Sequence, residues 1–268
     1  MAKLSVFIIA VNEETRIERA INSVKKIADE IIVIDSGSKD NTVELSQNLG
    51  AKVVYNAWPG YTEQKAYGES LCKNDWILNI DADEEISMEL QDEIDHIFSE
   101  QQQDKYFAYK IKVTIMHRSD LRPRTFAPYN NVVRLYNKKY AGFRGKRSSS
   151  THDSVIFEPN LDTKNKIIDL KARAYHRSGT SIEQLVAKAN SYSSQQAIEM
   201  IRIGRVPSKF RIGSEILLWF LKAFFIRRYF IFGFDGFVDS IIFAFARFIR
   251  LAKARERAIE LSLESKNH

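Results

Sequence analysis

The chain is poor in residues that cross-link or interrupt a fold. Its 268 residues include one cysteine, Cys72, 11 glycines and 5 prolines. A single cysteine can form neither an internal disulfide nor a cysteine-based zinc cluster, so a reducing compartment is the simplest expectation. No G-x-G-x-x-G sequence and no Walker phosphate loop occur, which weakens interpretations as a dinucleotide oxidoreductase or a P-loop kinase. Internal repeats and low-complexity tracts are also absent from the sequence, as in an ordinary globular domain.

The composition is ordinary, but the charge is unevenly distributed. Hydrophobic residues make up 44% and charged residues 28% of the chain, as in typical globular proteins. Residues 4–10 form a short apolar run with an acidic flank, which fits a first strand better than a cleavable signal. The net charge is +6, yet residues 205–257 alone contain eleven Lys or Arg and four Asp or Glu. The basic character therefore belongs to the C-terminal part.

A short apolar run at residues 76–80 is followed by four acidic residues within the next five. The run predicts a buried strand of a parallel sheet, and open α/β sheets bind ligands beyond the carboxyl ends of such strands. Asp81 and Asp83 are one residue apart, which suits a hard divalent cation such as Mg²⁺ or Mn²⁺. The alternative is an acidic loop that precedes a helix capped by Ser87.

Strand and helix patterns alternate through residues 1–86. Apolar runs predict strands at residues 4–10, 31–34, 53–55 and 76–80, with helical patterns after the first two. This order is typical of an α/β fold with an open, mostly parallel twisted sheet and flanking helices. Further along the chain, the patterns predict strands at 107–115, 131–136 and 167–170, and a helix at 182–203 that covers the sheet domain.

Four sequence blocks, taken in their order and spacing, resemble glycosyltransferase family 2. They are residues 5–14, residues 33–42, Gln64-Lys65 and residues 76–84. This family comprises inverting nucleotide-sugar glycosyltransferases with the GT-A fold. The resemblance is closest to bacterial enzymes that add glucose or a related sugar to the lipopolysaccharide core. It implies a GT-A type sheet, a UDP-sugar donor and dependence on Mg²⁺ or Mn²⁺.

The resemblance also implies a role for each matching position. Asp35 would hydrogen-bond the uracil edge, and Asp81 would lie near the ribose. Asp83 would bind the cation that spans the diphosphate, and His176, at a predicted strand end, would join it there. The full set of expected nucleotide-sugar-binding residues is Ala10, Val11, Asn12, Glu13, Asp35, Lys65, Asp81 and Arg134.

Simpler structural interpretations of three of these residues stay open. Asp35 is also a common turn-forming residue type. Glu13 also fits an acidic residue in the first turn of a helix, where the helix dipole favours negative charge. His176 also fits a hydrogen-bonded structural histidine.

The second half of the chain has to supply a base that takes the proton of the acceptor hydroxyl. The related glycosyltransferases carry a His-Glu pair near this point, and its acid is the expected base. This chain has His152-Asp153 instead, one methylene shorter. We therefore predict Asp153 as the catalytic base, with Glu158 as the alternative. A hydrolase triad is disfavoured because the sequence has no G-x-S-x-G elbow.

The C-terminal segment combines apolar, aromatic and basic residues. Within residues 216–232 the apolar run is interrupted by Lys222, Arg227 and Arg228, which favours a position in the membrane interface over a membrane crossing. We expect residues 1–204 to form the nucleotide-sugar-binding and catalytic domain, and residues 205–268 a helical extension on an anionic membrane surface. The aromatic residues could instead pack on the catalytic domain or on a second subunit, which leaves a homo-oligomer open.

These expectations combine into one function. It is a metal-dependent inverting transfer of a hexose, with glucose favoured, from a UDP-sugar to a sugar hydroxyl of a lipid-linked acceptor, with inner-core lipopolysaccharide favoured. The expected location is cytoplasmic, peripheral on the inner face of the cytoplasmic membrane. The alternatives are a peptide or polyprenyl phosphate acceptor, or a non-catalytic membrane-bound interaction protein on a degenerate GT-A fold. Nucleic-acid binding is disfavoured, because aromatic runs interrupt the basic tail.

Overall fold

The computed structural model describes residues 3–118, 120, 122–144, 154–177 and 181–264. Contacts between Cα atoms divide the chain into two compact units. The first unit comprises residues 1–115 and 129–177, and the second comprises residues 116–128 and 178–268.

The first unit is built from strands and short helices. Its helices are α1 (Ile17–Val24), α2 (Thr42–Asn48), α3 (Tyr61–Leu71) and α4 (Met88–Ser99), with a 3-10 turn at Gln103–Lys105. Its strands are β1 (Leu4–Ala10), β2 (Glu30–Asp35), β3 (Lys52–Tyr55), β4 (Trp76–Asp81), β5 (Glu84–Ile86), β6 (Ala108–Ile115), β7 (Tyr129–Asn137), β8 (Ala141–Gly142), β9 (Ile156–Phe157) and β10 (Ile167–His176).

Eight of the described strands form one sheet in the order β3-β2-β1-β4-β7-β6-β10-β5, and β8 pairs with β9. The strands from β3 to β4 run parallel. Beyond them β7 is antiparallel to β4 and β6, β10 is parallel to β6, and β5 is antiparallel to β10. The predicted α/β sheet with flanking helices is confirmed, and its strands are more evenly mixed in direction than expected from the sequence.

The parallel strands are buried because apolar side chains cover both faces of the sheet. All seven residues of β1 are buried. Val6 and Ile8 point to the face covered by α1, where Ile17 and Ile21 pack, whereas Phe7 belongs to the core on the opposite face. This two-sided burial explains why β1 is a continuous apolar run in the sequence, without polar alternation.

Strand register brings the functional segments to one edge of the sheet. Ala10 at the end of β1 is paired with Asp35, and Ile9 is paired with Asp81. After β4 the chain turns through Ala82 into β5, and β10 runs beside β5 so that His176 pairs with Glu84. The carboxyl ends of β1, β2, β4 and β10 therefore bring together residues that are far apart in sequence.

The second unit is helical. It contains α5 (Ile182–Arg202), α6 (Lys209–Leu221), a π-helical turn at Lys222–Ile226, a 3-10 turn at Tyr229–Phe232 and α7 (Gly233–Glu264). Ser181 begins α5 as predicted, since its hydroxyl accepts the N–H of Gln184 at 3.1 Å. Helix α5 groups with the second unit, although the sequence suggested that it covers the sheet. The predicted functional boundary between residues 204 and 205 stays a prediction.

One described helical stretch is long and apolar enough to cross a membrane. It comprises Tyr229–Leu263 and passes this test by length and composition alone, which is weak evidence for a membrane span. The expectation that the C-terminal segment lies in the membrane interface stays a prediction.

Candidate active site

Asp81, at the end of β4, is held between two cations. Its Oδ1 lies 2.7 Å from Nζ of Lys65, and its Oδ2 lies 2.8 Å from Nη2 of Arg134. Burial alone would raise the pKa of Asp81, but the charges of Arg134 and Lys65 hold that pKa far below its usual range. The structure thus brings together three of the expected nucleotide-sugar-binding residues, with Asp81 ionised.

Arg134 ties Asp81 to two further side chains. Its Nη1 donates to Oδ1 of Asn79 at 3.1 Å, and its Nη2 donates to Oε1 of Glu84 at 2.5 Å. Oε2 of Glu84 in turn accepts the backbone N–H of Asp81 at 3.1 Å. Burial raises the pKa of Glu84, and the charge of Asp81 adds to this against the opposing charge of Arg134. Arg134 lies on the neighbouring strand β7, and its planar guanidinium therefore holds the turn after β4 in place.

Asp83 and His176 form the second pair, although 93 positions separate them in the sequence. Oδ2 of Asp83 lies 3.1 Å from Nε2 of His176. The backbone N–H of Arg177 donates to the backbone carbonyl of Asp83 at 2.9 Å, which holds the end of β10 against this turn. Burial alone would raise the pKa of Asp83, but the hydrogen bond and charge of His176 lower it overall. The two residues expected to bind a metal are thus in contact.

Arg16 connects this pair to Glu13 and was not identified from the sequence. Its guanidinium binds both carboxylate oxygens of Glu13, at 2.6 and 2.7 Å. Its Nη1 donates to the backbone carbonyl of Arg177 at 3.0 Å and lies 3.8 Å from Oδ2 of Asp83. The only sequence signal for Arg16 is its position three residues after Glu13, and the turn that precedes α1 brings the two residues together through the bond from the N–H of Arg16 to the carbonyl of Glu13 at 2.9 Å.

The loops after β1 and β2 are joined through Ser38. Its hydroxyl accepts the backbone N–H of Asn12 at 2.9 Å and donates to Asp35 at 2.5 Å. Asp35 also accepts the N–H groups of Gly37 at 2.8 Å and Ser38 at 3.0 Å. Asp35 therefore forms the turn after β2, as the simpler interpretation requires, and its contact with a uracil edge stays a prediction.

The loop after β1 has a backbone conformation that directs hydrogen-bonding groups towards the loop after β2. Asn12 has a φ of 54°, in the left-handed region that Asn tolerates. Its Oδ1 accepts the N–H of Lys39 at 2.8 Å, and the N–H of Glu13 donates to Thr42 at 2.7 Å. Ala10 is buried at the strand end, while Val11 is exposed at the start of the loop. The four expected nucleotide-binding residues from Ala10 to Glu13 therefore form one continuous loop, and its last residue, Glu13, binds Arg16.

The predicted catalytic base lies outside the described residues. This holds for Asp153 and also for its neighbour His152. The alternative base, Glu158, is described, and its carboxylate forms an ion pair with Arg144. The choice between Asp153 and Glu158 as the base stays a prediction.

A half-buried carboxylate contacts the last described residues before the segment that carries Asp153. Glu69, on α3, accepts the hydroxyl of Tyr136 at 2.6 Å and the backbone N–H of Phe143 at 3.2 Å, both on Oε2. Gly142 lies so close to Glu69 that an added Cβ would collide with the carboxylate. Glu69 thus anchors the chain just before residue 145, a role that no local sequence signal indicates.

The Asp83–His176 pair fits a divalent cation. Two neighbouring ligands that are each about 2.1 Å from one ion at a right angle lie roughly 3 Å apart, close to the 3.1 Å between these two atoms. Among the described residues, no third His, Cys, Asp or Glu completes a cluster, so diphosphate oxygens and water would supply the remaining ligands. An imidazole ligand favours Mn²⁺ over Mg²⁺, because imidazole suits transition metals.

A sheet of this type, with an Asp-x-Asp turn at the carboxyl end of a central parallel strand, is typical of the GT-A fold. Residues 5–155 match the family described as glycosyl transferase family 2. The chain belongs to glycosyl transferase family 2, as the sequence resemblance predicted. It is therefore a glycosyltransferase.

Several individual proteins are similar to this chain over most of its length. An uncharacterized glycosyltransferase of Rickettsia bellii is 64% identical over 96% of this chain and 88% of that protein. The lipopolysaccharide core biosynthesis glycosyltransferase LpsC of Rhizobium meliloti is 25% identical over 95% of this chain and 92% of that protein. A crystal structure of glucosyl-3-phosphoglycerate synthase from Mycobacterium tuberculosis, with Mn²⁺, UDP and glucosyl-3-phosphoglycerate, is 18% identical and has a TM-score of 0.43, covering 78% of this chain and 82% of that chain.

Proposed function

We propose that the protein is a metal-dependent inverting hexosyltransferase that uses a UDP-sugar, with UDP-glucose as the favoured donor. The observation that carries this proposal is the contact between Asp83 and His176 beside the clamped Asp81. These carboxylates lie where open α/β sheets bind nucleotides, and the cations around them hold them ionised. Ionised carboxylates beside an imidazole are suited to hold a cation on the two phosphates of a nucleotide sugar.

The chain's own residues position the donor. The joined loops at Asn12 and Asp35 would border the uridine, with Asp81 near the ribose. Lys65 and Arg134 keep Asp81 charged and fixed in orientation, because both cations contact its carboxylate. Asp83 and His176 would hold the metal, which when bound supplies positive charge that stabilises the departing diphosphate.

Asp153 is the proposed base. It would take the proton of an acceptor hydroxyl while that oxygen bonds to the anomeric carbon and the bond from this carbon to the UDP oxygen breaks. Because the acceptor enters opposite the departing UDP, the anomeric configuration inverts in one step. General-base assistance of this kind contributes about 10²- to 10⁴-fold to the rate.

The proposed acceptor is a sugar hydroxyl on a lipid-linked saccharide, with inner-core lipopolysaccharide favoured. Two observations support it: the likeness to LpsC over nearly the whole chain, and the exposed apolar residues of α6 and α7. An enzyme peripheral on the inner face of the cytoplasmic membrane would meet such an acceptor where cytosolic UDP-sugar is available. A peptide or polyprenyl phosphate acceptor is the second candidate, and an acceptor screen separates the two.

The metal role is tested with Asp83→Asn and His176→Gln, with Asp92→Asn as the matched control. Asp92 is exposed on α4 and pairs only with the exposed Lys26 among the described contacts. We expect Asp83→Asn to abolish the tightening of UDP binding by Mn²⁺ in calorimetry and to lower UDP release from UDP-glucose roughly 100-fold or more. The control should match the wild type. Full metal-dependent binding and turnover in Asp83→Asn would exclude the proposed site.

The base is tested separately with Asp153→Asn and Asp153→Glu. Asn cannot accept the proton, so transfer should fall by about 10²- to 10⁴-fold while UDP affinity stays unchanged. Glu restores a carboxylate of the length found in the related enzymes and should recover much of the rate. Undiminished transfer by Asp153→Asn would show that another group is the base. Failure of the wild type to bind any nucleotide sugar would favour a non-catalytic interaction protein.

A further inference from the structure

Trp219 of α6 carries two cations over its indole ring. Nζ of Lys222 lies 4.3 Å from the ring centroid, and Cζ of Arg247 lies 3.9 Å from it. Next to Trp219, the ring of Phe243 lies at 5.8 Å and carries Arg227 at 4.6 Å. Lys222 and Arg227, from the segment after α6, and Arg247, from α7, thus share one aromatic floor formed by Trp219 and Phe243.

These cations form no direct ion pair with a described carboxylate. Within the part of the chain that the structure describes, no ion pair within 4 Å joins Lys222, Arg227 or Arg247 to a carboxylate. Nε of Arg247 is buried and has no hydrogen-bond acceptor among those residues. A solvated basic surface would leave its guanidinium in water, so the stacked and partly buried Arg247 is instead held in a fixed orientation.

One carboxylate lies nearby, and other arginines already hold it. Glu215 is fully buried, with Nε of Arg211 at 3.1 Å and Nη2 of Arg250 at 3.5 Å. Burial and, after it, the charge of Arg250 lower the pKa of Arg247 to about 10, against the opposing charge of Glu215. The group therefore contains five cations and one carboxylate, and their mutual repulsion favours the binding of an anion between them.

An apolar surface lies beside this group on the same helix. Ile216 and Leu218 of α6 are exposed, and so is Phe225 in the π-helical turn. At about 100° per residue, Leu218 projects roughly 40° from Lys222 and Ile216 roughly 60° from Trp219, so both border the face that carries the cations. Cations beside exposed apolar side chains match the two chemical layers of an anionic lipid surface, which are its phosphates and its acyl chains.

We propose that Lys222, Arg227 and Arg247 form a binding site for the phosphate of an anionic membrane lipid. Trp219 and Phe243 are the floor of this site, and the exposed residues of α6 contact the adjoining acyl chains. The inference rests on the proposed membrane location. It differs from nonspecific attraction by a basic tail because it assigns phosphate binding to three named residues.

The site is tested by vesicle binding with charge-matched variants. Arg247→Gln and Arg257→Gln each remove one positive charge from α7, but Arg257 is exposed and outside the group. The full-length protein is titrated with vesicles of phosphatidylcholine, with and without phosphatidylglycerol. Diffuse attraction predicts an equal loss of about fivefold in partition coefficient for both variants. The site predicts roughly a 30-fold loss for Arg247→Gln only, because a charge-assisted bond to phosphate disappears.

Further variants separate the site from folding effects. Arg247→Lys keeps the charge without the planar fork and should bind with intermediate affinity. Lys222 is exposed, so Lys222→Gln should not affect folding. If thermal unfolding shows that Arg247→Gln is destabilised, Lys222→Gln is used instead to test the phosphate site. Equal losses in Lys222→Gln and Arg257→Gln would then overturn the site.

Soluble phosphate is the competing source of the same chemistry. Inorganic phosphate is added without vesicles, with chloride of equal ionic strength as control, and the thermal midpoint is measured. A phosphate-specific rise together with no preference for anionic vesicles would overturn the lipid assignment. Vesicle binding is measured without UDP-glucose, so it tests the lipid site even if the protein does not turn over UDP-glucose. A failure to bind vesicles would in turn not contradict the proposed use of a UDP-sugar donor.

Discussion

Nζ of Lys65 lies 2.7 Å from Oδ1 of Asp81, and the lysine side chain is only 2% exposed. Lys65, on α3, thus places a buried positive charge beside the acidic turn after β4. A lysine is rarely buried unless it is paired. Because burial weakens screening by water, this pair contributes to both the charge of the site and the stability of the fold.

Replacing this cation should destabilise the protein. In Lys65→Met the carboxylate of Asp81 keeps only Arg134 of its two cationic partners. Removing one member of a fully buried ion pair costs about 3–5 kcal/mol, and the cost should be smaller here because the Asp81 side chain is 32% exposed and keeps Arg134. We expect a clear decrease in the urea midpoint of unfolding.

Lys26→Met is the control, because Lys26 forms an equally short ion pair with Asp92, at 2.7 Å, on the exposed surface. Its midpoint should stay near that of the wild type, since surface ion pairs contribute little. Equal losses in both variants would contradict the role given to burial.

Arg16 should act as a positioning residue for Asp83 and His176, the proposed metal-binding pair. Arg16→Gln loses both bonds to Glu13 and the bond to the carbonyl of Arg177. We expect kcat/KM for UDP-glucose to fall by about 10- to 100-fold, as for other residues that orient metal ligands. Mn²⁺-dependent UDP binding, measured by calorimetry, should weaken in parallel.

Arg19→Gln is the control for this change. Arg19 is a largely exposed arginine of α1, three residues after Arg16 and 4.0 Å from Glu85. If both variants lose UDP affinity equally, the effect comes from removing one positive charge near the site and not from losing the contacts that Arg16 makes.

Glu69 should make the stability of the protein depend on pH. Burial raises its pKa above the ordinary 4.5, although the hydrogen bonds from Tyr136 and Phe143 oppose this. The folded state then binds more protons than the unfolded state as pH rises from 4.5 towards the higher folded pKa, so stability is lost across that window. In Glu69→Gln the amide oxygen can accept both bonds, since they share Oε2.

We therefore expect Glu69→Gln to gain stability relative to the wild type as pH rises from about 4 to 7. Urea midpoints at several pH values measure this difference. Parallel curves for the two proteins would show that the carboxylate is not titrating with a raised pKa.

Cys72 should be inert in the folded protein. Burial raises the pKa of its thiol to about 12, so the reactive thiolate at pH 8 is on the order of 10⁻⁴ of the total. A chromogenic disulfide reagent should label the native protein slowly and the urea-unfolded protein at once. The assay is unambiguous because the chain contains one cysteine. Fast labelling of the native state would show that this core opens readily.

Local patterns in the sequence determined the elements of the sheet. The continuous apolar runs at β1, β2 and β4 reflect burial on both faces of a parallel sheet, so they are visible without a structure. The cap at Ser87 was equally predictable, since its hydroxyl accepts the N–H of Leu90 three residues later. The family resemblance then identified Asp83 and His176 as partners.

Only the tertiary structure decided which charges meet. Arg134 reaches Asp81 because β7 lies antiparallel beside β4, a pairing that apolar periodicity does not encode. The burial of Lys65, the link through Arg16 and the stacked cations around Trp219 likewise depend on contacts between distant segments. Periodicity reports which face of an element is buried, whereas strand order and helix packing, which no local pattern contains, determine what that face contacts.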